Sequence, residues 1–134
     1  MDPLLREIKY KAACIYYGDH VPLYVANQYA DANFENMYGL TIFQTGVTWN
    51  LILNTFITEI GYAVEHLLWT LYFLKKYPTN LMMEHVLKKS TPTLRKRIWY
   101  TLHMLSNLNQ VCSINTLFSP IILTISLFYP NRLI

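Results

Sequence analysis

Five cations within ten positions, Lys88, Lys89, Arg95, Lys96 and Arg97, are the residues whose type and spacing bear most directly on chemistry. They bracket the break Ser90-Thr91-Pro92-Thr93, so their charges can lie on one rim, meet a phosphate backbone and release its counterions. Without a partner the same block is a solvated basic face. The block owes its prominence to the rest of the chain. Residues 1–74 carry three Lys/Arg against seven Asp/Glu, whereas residues 75–97 carry seven basic groups against Glu84 alone. No carboxylate follows Glu84, and residues 98–131 contain no formally charged side chain.

Other chemistries find less support. His20, His66, His85 and His103 show neither H-x-x-x-H nor HExxH spacing, and Cys14 and Cys112 lie far apart with no CxxC, so no metal site and no disulfide scaffold is expected. Four dispersed glycines build no phosphate-cradling loop, and nothing like G-x-S-x-G places a nucleophile. No cofactor and no catalytic residue follow from the sequence. With 134 residues, 53% of them hydrophobic and only ten Gly and Pro together, the chain is expected to fold as one modest domain. The start Met-Asp-Pro-Leu-Leu-Arg-Glu lacks the basic-then-apolar order of an export signal, which points to a reducing intracellular compartment.

The elements that must position the block read as helices, so the expected class is all-α. Leu4, Leu5, Ile8, Ala12, Ala13 and Ile15 recur at helical spacing and predict a helix over 3–17, capped by Asp2 with Pro3 at N1 and ended by Gly18-Asp19-His20. Val21–Val25 is either extended or the entry to a helix reaching Asn33, and Asn36-Met37-Tyr38-Gly39 reads as a connector. A helix over 47–57 follows, with Thr45 or Thr48 as its cap. The clearest signal is Glu65–Tyr77, striped by Leu67, Leu68, Leu71 and Leu74, with Lys75 and Lys76 matching the dipole at its end. His66 there reads as a helix-start or packing residue. A short helix over 80–88 would turn Leu81, Met82, His85 and Val86 inward. The last helix would start behind a Thr91 cap with Pro92 at N1, bury Leu94, Ile98, Leu102, Leu105 and Leu108, and reach about Asn109. Trp69, Trp99 and the Met82-Met83 pair fit core packing. The domain is therefore set at 1–109, with a helix-turn-helix-like element at about 80–109 and an irregular apolar tail at 110–134.

Three stretches carry a family resemblance: Phe43-Gln44-Thr45 with Trp49-Asn50-Leu51; HLLWTLYFLKKYPT, residues 66–79, with Glu65 before it; and TLRKRIW, residues 93–99. Together, over residues 43–108, they resemble the N-terminal helical region of PIF/Harbinger-type DDE-superfamily transposases. The resemblance implies double-stranded DNA binding by a helix-turn-helix-like element at TLRKRIW, and a nuclear location. It also implies a following RNase H-like domain whose carboxylates hold two divalent ions. After Asn107-Leu108-Asn109-Gln110-Val111 the match ends, so the expectation is a non-catalytic fragment whose tail is sequence read past a frameshift or early stop. Arg95 and Lys96 would face the groove.

Two further readings stand beside DNA binding. The helical body could bind a protein, a full-length transposase copy among them, through apolar surface. Residues 111–129 are nineteen uncharged positions, near the roughly twenty that span hydrocarbon, but Ser113, Asn115, Thr116 and Pro120 weaken insertion. A membrane anchor is the minority reading of that tail; the majority reading is a tail folded against the helical body or an exposed, aggregation-prone apolar end.

Overall fold

In the computed structural model, residues 2–18 and 21–111 are described, with side chains as far as Leu108. Among them every regular element is a helix: α1 (Pro3–Tyr17), α2 (Leu23–Ala26), α3 (Asp31–Tyr38), α4 (Ile42–Thr55), α5 (Val64–Lys76), α6 (Asn80–Leu87) and α7 (Thr91–Val111). The all-α expectation holds. The tail at 112–134, with Cys112 and the membrane reading, lies outside the described residues, as do Asp19 and His20. Among the described residues no helix is long and apolar enough to cross a membrane.

Local chemistry sets most helix ends. Asp2 accepts a hydrogen bond from the Leu4 N–H at 2.8 Å with Pro3 just inside, as the sequence predicts. Gly18, at φ +111, ends α1. The open stretch 21–33 resolves into the single turn of α2, a bend, and then α3 from Asp31. The expected connector at Asn36–Gly39 is instead the end of α3: Phe34 and Tyr38, one turn apart and both buried, meet with tilted rings 4.7 Å apart. Two buried rings outweigh the turn preference of Asn36, and Gly39 at φ +82 supplies the break.

Helix α4 is capped by Thr41, not by Thr45 or Thr48. Thr41 Oγ1 accepts from the Gln44 N–H at 3.1 Å while Gln44 Oε1 accepts from the Thr41 N–H at 3.0 Å, a reciprocal capping box. Thr45 and Thr48 are fully buried inside the helix, and their hydroxyls donate to the carbonyls of Thr41 and Gln44, each at 2.9 Å. A buried hydroxyl must find an acceptor, and the preceding turn provides it. Gly46 lets α1 come close: a Cβ there would stand 2.7 Å from Leu5 Cδ2.

Helix α5 is the axis of the molecule. Val64, His66 to Tyr72 without interruption, and Leu74 are buried, because α7, α3 and α1 all pack on it. A helix apolar nearly all round belongs at the centre. Helix α7 lays Leu94, Ile98, Leu102, Leu105 and Leu108 against this assembly, all buried as the spacing predicts, and touches α4 and α6 as well. Trp69 is buried, and Trp99 packs against the core half-covered.

Tyr29 and Tyr38 break the pattern. Both phenol oxygens are buried with no hydrogen-bond partner among the described residues, and burial raises both side chains above the ordinary tyrosine value, Tyr29 to about 12. Desolvating an unpaired hydroxyl costs stability. Tyr38→Phe is therefore expected to raise the unfolding free energy by about 1 kcal/mol, read as a higher urea midpoint. A lower midpoint would mean that the hydroxyl is bonded through buried water.

Candidate nucleic-acid interface

The basic block occupies the connection between α6 and α7. Thr79 Oγ1 accepts from the Met82 N–H at 3.2 Å and sets where α6 begins. That phase turns Met83 and Leu87 inward, so the inward set expected from sequence (Leu81, Met82, His85, Val86) is displaced by one position. Leu81 is 80% exposed and Met82 49%, His85 is exposed, and only Val86 is half-covered. Three residues, Lys88–Ser90, then turn the chain. Lys88 ends α6 in the left-handed region at φ +58, where non-glycine residues are uncommon. Helix α7 starts at Thr91, with the Leu94 N–H bonded to the Ser90 carbonyl at 3.0 Å. Ser90 thus holds the cap position expected of Thr91, and its hydroxyl pairs with that of Thr93 at 3.0 Å.

The five cations do not share one rim. Lys88 and Lys89 are exposed and border a cavity between α1, α5 and α6. Arg95 is exposed on the other flank, beside a larger cavity of about 310 Å³ lined also by Phe73, Asn80, Met83 and Trp99. Lys96 points away from the core into solvent with Pro92 and Thr93. These four cations make no ion pair among the described residues.

Arg97 is placed differently. Its guanidinium meets the Glu59 carboxylate at 3.4 Å, and its side chain is only 19% exposed. The same loop is tied down by the Glu59 N–H, which donates to the Tyr100 hydroxyl at 2.9 Å, and by the Tyr62 and Thr101 hydroxyls, 2.7 Å apart. Arg97 therefore serves to hold the α4–α5 loop against α7. Sequence spacing grouped it with Arg95 and Lys96, but helical rotation puts neighbouring residues on opposite flanks.

The N-terminus of α5 lies close by. His66 Nδ1 accepts from the Ala63 N–H at 3.0 Å, the half of a capping box that Ala63 cannot return. Its ring packs edge-on against Trp69 at 4.7 Å and tilts against Tyr62 at 5.5 Å. Burial pushes its pKa below the ordinary 6.5; Glu65 opposes that, while Arg97 and Lys89 add to it. A protonated ring cannot accept at Nδ1. The unfolded chain then binds the proton more readily than the folded one, so stability is complete above about pH 6.5 and declines as pH falls toward the depressed folded value. The wild-type urea midpoint should drop between about pH 7.5 and 5.0, and His66→Gln, whose amide oxygen accepts without titrating, should flatten that part of the slope.

Among the described residues no three His, Cys, Asp or Glu side chains are grouped so as to hold a metal ion. Sequence reasoning overlooked Lys11. This α1 residue borders the same cavity as Lys88 and Lys89, and no local pattern signals it, because packing of α1 on α5 and α6 alone brings it there. In comparisons with known proteins, no family model, no curated protein and no solved structure matches the chain.

Proposed function

We propose that the chain is a non-catalytic double-stranded DNA-binding module that presents the α6–α7 turn and the start of α7 to a major groove. One observation carries this reading: four exposed cations outside any ion pair among the described residues flank a helix start that turns Pro92, Thr93, Arg95 and Lys96 to solvent. A helix end entering a major groove meets phosphates on both walls, so cations on two flanks, Lys88 and Lys89 on one and Arg95 on the other, suit that geometry. Lys96 lies between the flanks and meets a phosphate there. Arg97, held by Glu59, is left out of the footprint. The resemblance of residues 43–108 to Harbinger-type transposases supports the same reading, and with it a transposase-derived origin and a nuclear site of action.

The test is titration of a labelled random duplex at low salt with the wild type and with Arg95→Ala/Lys96→Ala. The double variant should bind at least about tenfold more weakly, two charge-assisted contacts being lost. Equal affinity in a folded variant would remove this interface.

A second reading, a module that binds a partner protein, draws on Ile57 and Ile60, which stand fully exposed on the α4–α5 loop. Association that persists in high salt on a sizing column and disappears in Ile57→Ser/Ile60→Ser would favour it.

A further inference from the structure

A cavity of about 140 Å³ lies where α1, α5 and α6 meet. Its rim carries the side chains of Lys11, Lys88 and Lys89, with Glu65 as the one carboxylate, while Trp69 and Leu87 form a buried apolar wall. The lysines come from positions 77 and 78 residues apart in the chain. Lys88 Nζ reaches back to the end of α1, where a Cβ built on Gly18 would stand 4.0 Å from it. None of the three makes an ion pair among the described residues.

Lys11, Lys88 and Lys89 bring three positive charges to the lining of one small space, and Glu65 offsets only one of them. A bound dianion removes the rest. Lysine suits such a ligand because its three N–H donors rotate freely about a compact charge. The apolar wall strengthens the attraction by excluding water on one side. The volume is well below the roughly 300 Å³ at which pockets for drug-sized ligands begin, so it fits one phosphate or a diphosphate and not a large organic molecule.

We infer that this cavity is a seat for a phosphate-type oxyanion held by Lys11, Lys88 and Lys89. The site goes beyond the DNA reading and does not depend on it. Its occupant is either a free phosphate compound or one phosphate of a duplex backbone that continues onto α1.

Calorimetric titration with sodium pyrophosphate at low ionic strength tests the seat, with sodium chloride of equal ionic strength as the reference. Wild-type chain should bind pyrophosphate well above the chloride response. Lys11→Ala and Lys89→Ala should each bind about tenfold more weakly, the loss expected for one charge-assisted contact. Arg95→Ala/Lys96→Ala should bind as the wild type does. Circular dichroism checks that each variant is folded, and because Lys11 and Lys89 lie on different elements, one folded variant suffices. No response beyond chloride, or a folded Lys11→Ala that binds like the wild type, would overturn the assignment. The source is read from the duplex titration. If Lys11→Ala lowers the salt dependence of duplex binding by about one phosphate contact, the seat holds a backbone phosphate. If duplex binding is untouched while pyrophosphate binding is lost, the seat takes a free phosphate compound. The DNA reading fails separately, on the Arg95/Lys96 variant alone.

Discussion

Leu102→Ala is expected to lower the unfolding free energy by about 3–5 kcal/mol, the upper part of the range for a buried leucine cut back to alanine. Leu102 is wholly buried and lies mid-way along α7, the helix packed most extensively against α5. Both neighbours are regular helices whose backbones cannot collapse into the space, so the cavity term adds to the lost transfer free energy. A domain of this size is stable by only about 5–15 kcal/mol. The variant should therefore be markedly less stable, with a urea midpoint reduced by about a fifth or more. Leu81→Ala is the internal control: Leu81 is equally apolar but 80% exposed, and its removal should shift stability by less than about 0.5 kcal/mol. Equal effects at the two positions would contradict the packing of α7 on α5.

Duplex binding should show the second large effect, through its dependence on salt. If Lys88, Lys89, Arg95 and Lys96 each neutralise one phosphate, log affinity falls with log salt at a slope of about −3.6. Between about 50 and 200 mM salt the wild type should then weaken roughly 150-fold. Arg95→Ala/Lys96→Ala keeps two of the four charges, so its slope should halve and its affinity fall only about 12-fold over the same range. Arg97→Ala separates an ion-pair role from a phosphate role. It breaks the contact with Glu59 and leaves the slope unchanged if Arg97 only anchors the loop, and it reduces the slope by about 0.9 if Arg97 also meets a phosphate.

The helices were legible where local chemistry governs them. Asp2-Pro3 opens α1 and Gly18 closes it, the leucine stripe of α5 reads at once, and all five apolar positions assigned to α7 are buried. Errors fell where a residue has two local uses. Thr45 and Thr48 are as good caps as Thr41, but Gly39 and the Gln44 side chain place the helix start at Thr41. Asn36 favours a turn, yet Phe34 and Tyr38 need the helix to continue so that both rings are buried. In α6 the apolar residues are too numerous to define one face, and the Thr79 cap selects Met83 and Leu87.

What this sequence determined by itself is the all-helical class, the bounds of α1, those of α5 and α7 to within two residues, and the placing of the positive charge in one short block, because caps, helical periodicity and formal charge are properties of neighbouring residues. Tertiary structure decided how that charge is distributed. It tied Arg97 to Glu59 across 38 positions, parted Arg95 from Lys88 and Lys89 on two flanks, and brought Lys11 to the latter pair. The physical reason is that a helix turns successive side chains to different sides, so adjacency in the chain does not group them. Only the packing of α1, α5, α6 and the α4–α5 loop around the start of α7 settles which cations stay exposed and which meet a partner.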